Sequence, residues 1–216
     1  MRKNAATLLL LLAPAFAAAE IVDRIAAIVG SSIITSSDVM KQIRLTALLN
    51  GVAPDYSPAA RREAAQRLVE QTLIRKEIAS AGSGTPAPAA IDQQLLKLLE
   101  TRYPTEATYQ AALQKYDVTD EEVKAQLLWQ TQLVHFVDLR FRPALPPSDA
   151  ELHDYYENTF VPDWPSDHEG KPPAFDAARD ELEQEVMAQL ANNALDRWLG
   201  QTRTQTRIRL MPEAFK

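Results

Sequence analysis

The sequence predicts a mainly α protein in which a small β-sheet joins an N-terminal hairpin to a C-terminal strand. Three observations lead there. Phe175 to Thr206 is one long amphipathic stretch with a single Gly and no Pro. It runs into the alternating segment Thr206-Arg207-Ile208-Arg209-Leu210, which reads as a short strand and cannot satisfy its own backbone groups alone. The best partner for that strand is the Ile- and Val-rich stretch Ile21 to Ile34, so the two ends of the chain are expected to meet in one sheet.

The elements follow in order. Ile21 to Val29, the turn signal Gly30-Ser31-Ser32 and Ile33-Ile34 read as a hairpin, although the apolar alternation is imperfect. Thr35-x-x-Asp38 resembles a capping box, so a helix starts near Ser36 and ends at Asn50-Gly51. Ser57-Pro58 supplies an N-cap and an N1 proline for a helix carrying Ala64, Ala65, Leu68, Val69, Leu73, Ile74 and Ile78 inward, ending at Ala81-Gly82. Ser83 to Pro88 is a loop. Ile91, Leu95, Leu96 and Leu99 mark a shorter helix broken at Tyr103-Pro104, and Glu106 to Tyr116 forms the next.

Thr119 and Glu122 form a capping box flanked by a Val118–Val123 hydrophobic staple. That helix carries Leu127, Leu133, Val134 and Val137 to about Phe141, where Pro143, Pro146 and Pro147 stop it. Ser148-x-x-Glu151 is a second box, opening a helix with Leu152, Tyr155, Tyr156 and Phe160. Val161 to Pro173, with four prolines and one glycine, is the strong linker of the chain. The terminal helix then presents Phe175, Ala178, Leu182, Val186, Leu190, Ala194 and Trp198 at helical spacing.

Residues 1–19 read as a signal peptide. Arg2 and Lys3 precede the apolar run Leu8–Leu12, and Ala17-Ala18-Ala19 fits cleavage before Glu20. Residues 20–160 then form the hairpin and helical region, 161–173 the linker, and 174–216 the helix and strand that complete the same domain. No later apolar run is long enough to span a bilayer. The formal net charge is −6, and losing Arg2 and Lys3 makes the remainder more acidic. An acidic chain lacks the Lys and Arg excess that neutralises phosphates, which argues against nucleic acid as a partner. With no Cys, stability must come from packing rather than disulfides.

The ordered series resembles the SurA-type periplasmic chaperones. Ile21 to Val29 looks like that family's opening strand, and Ile33 to Val39 like its strand-to-helix junction. Arg61 to Ile78 and Val118 to Phe141 are similar to its helices. Phe175 through Trp198-Leu199 to Arg207-Ile208-Arg209-Leu210 is similar to its terminal helix and strand. Family members usually carry one or two parvulin-type prolyl isomerase domains before the terminal helix. A domain of roughly 90–100 residues does not fit in Val161 to Pro173. The resemblance therefore implies a chaperone core without the isomerase: an ATP-independent periplasmic holdase for unfolded outer-membrane proteins, with the outer-membrane assembly machinery as a further candidate partner. Exchange of the terminal helix between copies through the linker is left open.

Little points to covalent chemistry. His135, His153 and His168 lack the His-x-x-x-His spacing of a helical metal site, and His153-Asp154 with Glu157 reads as a solvated face. Asp120, Glu121 and Glu122 occupy a first turn, where acids offset the helix dipole. Glu181, Glu183 and Glu185 read as a wet face. Ser31, Ser32, Ser36 and Ser37 sit in turns or caps outside any Gly-x-Ser-x-Gly elbow, and six glycines form no phosphate loop. No cofactor, metal site or catalytic residue is expected, and the chain is expected not to be an enzyme.

Two sets of side chains are candidate client contacts. Tyr155, Tyr156, Phe160 and Trp164 cluster beside the linker; they either pack internally or grip apolar segments with little entropy loss. Met40, Ile43, Leu45, Leu48 and Leu49 spread too widely for one helical stripe, so some meet a second surface or lie exposed; Met40, Ile43, Leu48 and Leu49 complete the set. Trp198 belongs on the core stripe. The rival readings are an adaptor subunit binding one fixed envelope assembly partner and a vestigial, inactive prolyl isomerase.

Overall fold

The computed structural model describes residues 23–81, 88–164 and 171–216, without the side chains of residues 88–92, 94 and 99. The signal-peptide reading, the first residues of the expected strand, most of the loop after Ala81, the side chains of Ile91 and Leu99, and His168 lie outside the described residues. Those described form seven α-helices and one three-stranded antiparallel sheet.

Strand β1 (Ile25–Val29) turns through Gly30-Ser31 into β2 (Ser32–Thr35). Gly30 takes φ +61°, the left-handed backbone this tight reversal needs and glycine adopts freely. The register runs Val29 opposite Ser32, Ile28 opposite Ile33 and Ala27 opposite Ile34, then shifts before Ile25 pairs with Thr35. That irregularity explains the imperfect alternation, because Ala26 and Ala27 are adjacent yet both fully buried.

The C-terminal strand β3 (Ile208–Leu210) pairs antiparallel with the other edge of β1, giving the order β2-β1-β3. Gly30 N–H donates to the Arg207 carbonyl and Met211 N–H to the Ala26 carbonyl, both at 2.9 Å. The expected closure of the chain's two ends is thus present, although β1 begins at Ile25. A 3-10 turn, Pro212–Phe215, then tucks Phe215 into the core at 3% exposure.

The helix boundaries follow local signals. Helix α1 (Ser36–Asn50) opens on Thr35, whose amide donates to Asp38 Oδ2 at 2.9 Å and whose hydroxyl accepts from the Asp38 amide at 3.3 Å. It closes on Gly51 at φ +66°. Helix α2 (Pro58–Ala81) is followed by α3 (Pro88–Arg102) and α4 (Glu106–Tyr116). Helix α5 (Asp120–Phe141) carries the Thr119–Glu122 box, and α6 (Asp149–Tyr155) the Ser148–Glu151 box. Tyr156–Phe160 is a π-helical turn rather than a continuation of α6. Helix α7 (Phe175–Gln205), about 46 Å long at 1.5 Å per residue, returns to β3.

Three apolar clusters hold these elements. The first packs Val29, Ile34, Val39, Ile43, Val69, Leu73, Trp129, Phe136, Leu199 and Phe215 against the sheet, with Trp198 at its margin. The second joins Leu45 and Leu48 of α1 to Tyr109, Leu113 and Tyr116 of α4 and to Val118, Val123 and Leu127. Three tyrosine hydroxyls donate within it: Tyr103 to the Leu48 carbonyl at 2.7 Å, Tyr116 to the Val52 carbonyl at 2.9 Å, and Tyr109 to Asp120 Oδ1 at 2.8 Å. Burial and the Asp120 hydrogen bond raise the Tyr109 pKa, which keeps it a donor. The third cluster gathers Leu152 with Ala178, Leu182 and Val186 at the start of α7.

Candidate functional site

Helices α1, α2 and α5 converge beside β2 and leave an open cavity of about 370 Å³ between them. Its apolar surface comes from Ile33, Ile34, Leu45 and Leu68, and its polar surface from Gln42, Gln71, Thr72, Arg75 and Gln126. Asp38, Lys41 and Glu122 also line it, and Lys41 Nζ meets Glu122 Oε1 at 2.7 Å. The Lys41 hydrogen bond holds the Glu122 carboxyl below its ordinary range. Gln42, only 7% exposed, donates to Thr46 Oγ1 at 3.2 Å, and the Thr72 hydroxyl donates to the Leu68 carbonyl at 2.7 Å. Gln71 and Gln126 make no hydrogen bond among the described residues and are free to serve a guest.

Arg75 is the distinctive charge of this cavity. Its guanidinium lies over the Trp129 ring at 4.0 Å from the centroid, so a buried aromatic fixes the position of an accessible cation. No described carboxylate pairs with it. Partial burial is the cause of its lowered pKa, and no neighbouring anion offsets that burial.

The sequence candidates fall in several places. Ile43 and Leu48 are buried, at 7% and 0% exposure, in the first and second clusters respectively, so neither offers surface to a client in this conformation. Leu49 packs at the margin of the second cluster. The wide apolar spread of α1 thus has a simple cause: this helix serves two cores. Met40 lines a separate cavity of about 270 Å³ with Arg24, Ser36 and Arg61.

Tyr155, Tyr156, Phe160 and Trp164 are half-buried, and the first three pack on the third cluster. The Tyr156 and Phe160 rings stack at 5.8 Å, and Trp164 lies 5.5 Å from Phe160. Tyr156 also meets Phe175 edge-on at 5.6 Å and donates its hydroxyl to the Pro173 carbonyl at 3.0 Å, which ties the end of the linker to α6. The structure therefore does not bring the two candidate sets together. Local sequence carried no signal for Gln71, Arg75 and Gln126, because α2 and α5 meet only through tertiary packing.

His135 and His153 are exposed, and the His153 ring stacks on Phe175 at 3.7 Å. Among the described residues there is no group of three or more metal-ligating side chains, and no helix is long and apolar enough to cross a membrane. No protein-family model matches the chain, and no curated protein matches it in sequence.

Proposed function

We propose that this chain is an ATP-independent holdase that binds unfolded outer-membrane proteins in the periplasm and releases them toward the outer-membrane assembly machinery. The observation that carries this reading is the open cavity between α1, α2 and α5, where apolar walls stand beside uncommitted side-chain amides. Such a surface suits an extended chain: apolar walls take varied side chains, and amides take whichever backbone group arrives. A flexible client loses entropy on capture, so binding is modest and reversible, as a carrier requires. The net acidic balance supports a carrier that stays soluble while loaded.

The activity needs no covalent chemistry, so the proposal assigns the chain no enzymatic step. The test is light scattering from an urea-unfolded outer-membrane porin diluted into buffer without nucleotide. Suppressed scattering at near-stoichiometric protein is expected; unchanged scattering at a several-fold excess refutes the proposal.

A further inference from the structure

The cavity lies at the free edge of the sheet. Ile33 and Ile34 are consecutive strand residues whose side chains point to opposite faces, yet both line it. Only space beyond the strand's edge meets both. Strand β2 is an outer strand, and its open side is that edge.

The hydrogen-bond pattern fixes which backbone groups look outward. On the β3 side, the bonds from Gly30 to Arg207 and from Met211 to Ala26 bracket Ile28, so Ile28 is the residue that exchanges amide and carbonyl with Arg209. Ile28 therefore has no backbone group left for β2. Its partner there, Ile33, must turn its own N–H and C=O away from β1 and into the cavity. No described residue takes them up. The Ile33 side chain is itself 58% exposed.

Arg75 opens on the same cavity, positioned by Trp129 and lacking a described carboxylate partner. A planar cation held in place and stripped of part of its water selects a carboxylate by bidentate pairing. From the free strand edge and the seated guanidinium together, we infer that the cavity takes an extended peptide segment that adds as a fourth strand along β2, pairs with the Ile33 backbone and places an acidic side chain on Arg75.

This deepens the holdase reading and rests on it for the source of the segment. Backbone pairing supplies affinity indifferent to sequence, and the Arg75 contact supplies preference. An acidic residue within an alternating strand is the feature sought, and the carrier's other described groove cations do not compete: Lys41 is occupied by Glu122.

The test is fluorescence anisotropy with a labelled heptapeptide of alternating valine and threonine carrying one central glutamate. Its glutamine counterpart and a version N-methylated on alternate amides serve as comparisons. The glutamate peptide should bind the full chain about tenfold more tightly than the glutamine one, the difference expected of a charged hydrogen-bonded pair. N-methylation of the edge that faces β2 should abolish binding. Arg75→Gln should erase the glutamate preference, so that the two peptides bind the variant equally. Ile33→Pro, which removes the outward N–H from an edge strand, should weaken all peptides.

Equal binding of the two peptides, or indifference to N-methylation, overturns the inference. Porin aggregation run alongside separates the two failures. Protection without peptide selectivity sinks this site alone; selective peptide binding without protection sinks the client reading and leaves the strand-addition site standing.

Discussion

Replacing Phe215 with Ala tests whether the C-terminal turn is part of the core or merely rests on it. Phe215 is 3% exposed and belongs to the first cluster, packed with β1 and α2 through the Pro212–Phe215 turn. An aromatic side chain buries roughly 150–250 Å², and its truncation in a packed core costs about 3–5 kcal/mol. That is a large part of the roughly 5–15 kcal/mol that holds a typical domain together. With a urea slope of about 2 kcal/mol per M, the midpoint should fall by about 1.5–2.5 M with the slope unchanged. Fluorescence of Trp129 and Trp198, both at the first cluster, reads the transition. Glu213→Ala is the control, since among the described residues that exposed side chain pairs only with Lys216, at 3.3 Å; it should move stability by less than about 0.5 kcal/mol. A comparably small loss in Phe215→Ala would show that the last turn frays and does not lock the sheet.

Three further outcomes follow from local geometry. Thr119→Ala removes the hydroxyl that accepts from the Glu122 amide at 3.2 Å and should cost about 1 kcal/mol by urea melt, with Thr119→Ser restoring most of it. Gly51→Ala should cost at least about 1 kcal/mol by thermal unfolding: the backbone sits at φ +66°, and the added Cβ would meet Arg102 Nη1 at 3.0 Å. Glu122 has its pKa lowered by the hydrogen bond from Lys41, and Glu151 by those from Ser148. A depressed folded-state value means their contributions are complete above the ordinary carboxylate range near about 4.3 and disappear as pH falls through the lowered values. Urea midpoints should therefore drop on acidification below about pH 4, and Glu122→Gln should lose stability at pH 7 while showing a shallower acid limb.

Much of the fold is legible because its signals are local. The boxes at Thr119–Glu122 and Ser148–Glu151 and the proline stop after Phe141 need only neighbouring residues; α5 begins and ends, and α6 begins, where those signals stand. The terminal strand was legible because Ile208–Leu210 needed a β partner and the Ile- and Val-rich opening stretch was the best candidate; it pairs with β1. Other features depend on distant partners. The spread of apolar residues on α1 resolves only once α4 supplies a second core. Val134, one of the apolar residues that mark α5 in the sequence, is 63% exposed, while Trp129 and Phe136 of the same helix are buried in the first cluster. At the π-helical turn Tyr156–Phe160, Tyr156 meets the Phe175 ring and the Pro173 carbonyl, contacts that local sequence does not show. Arg75 gains meaning only when α5 brings Trp129 beneath it.

The proposed holdase activity puts clients in the cavity beside β2. Site-specific photo-crosslinking tests it most directly: a benzophenone amino acid is placed singly at Ile33, at Gln71 and at exposed Leu139 on the outer part of α5. The chain is then loaded with unfolded porin and the adducts are mapped. Abundant adducts from positions 33 and 71, few from 139, and competition by the glutamate heptapeptide are expected. Porin held in solution without adducts at 33 or 71, or with equal yields at all three positions, would contradict it.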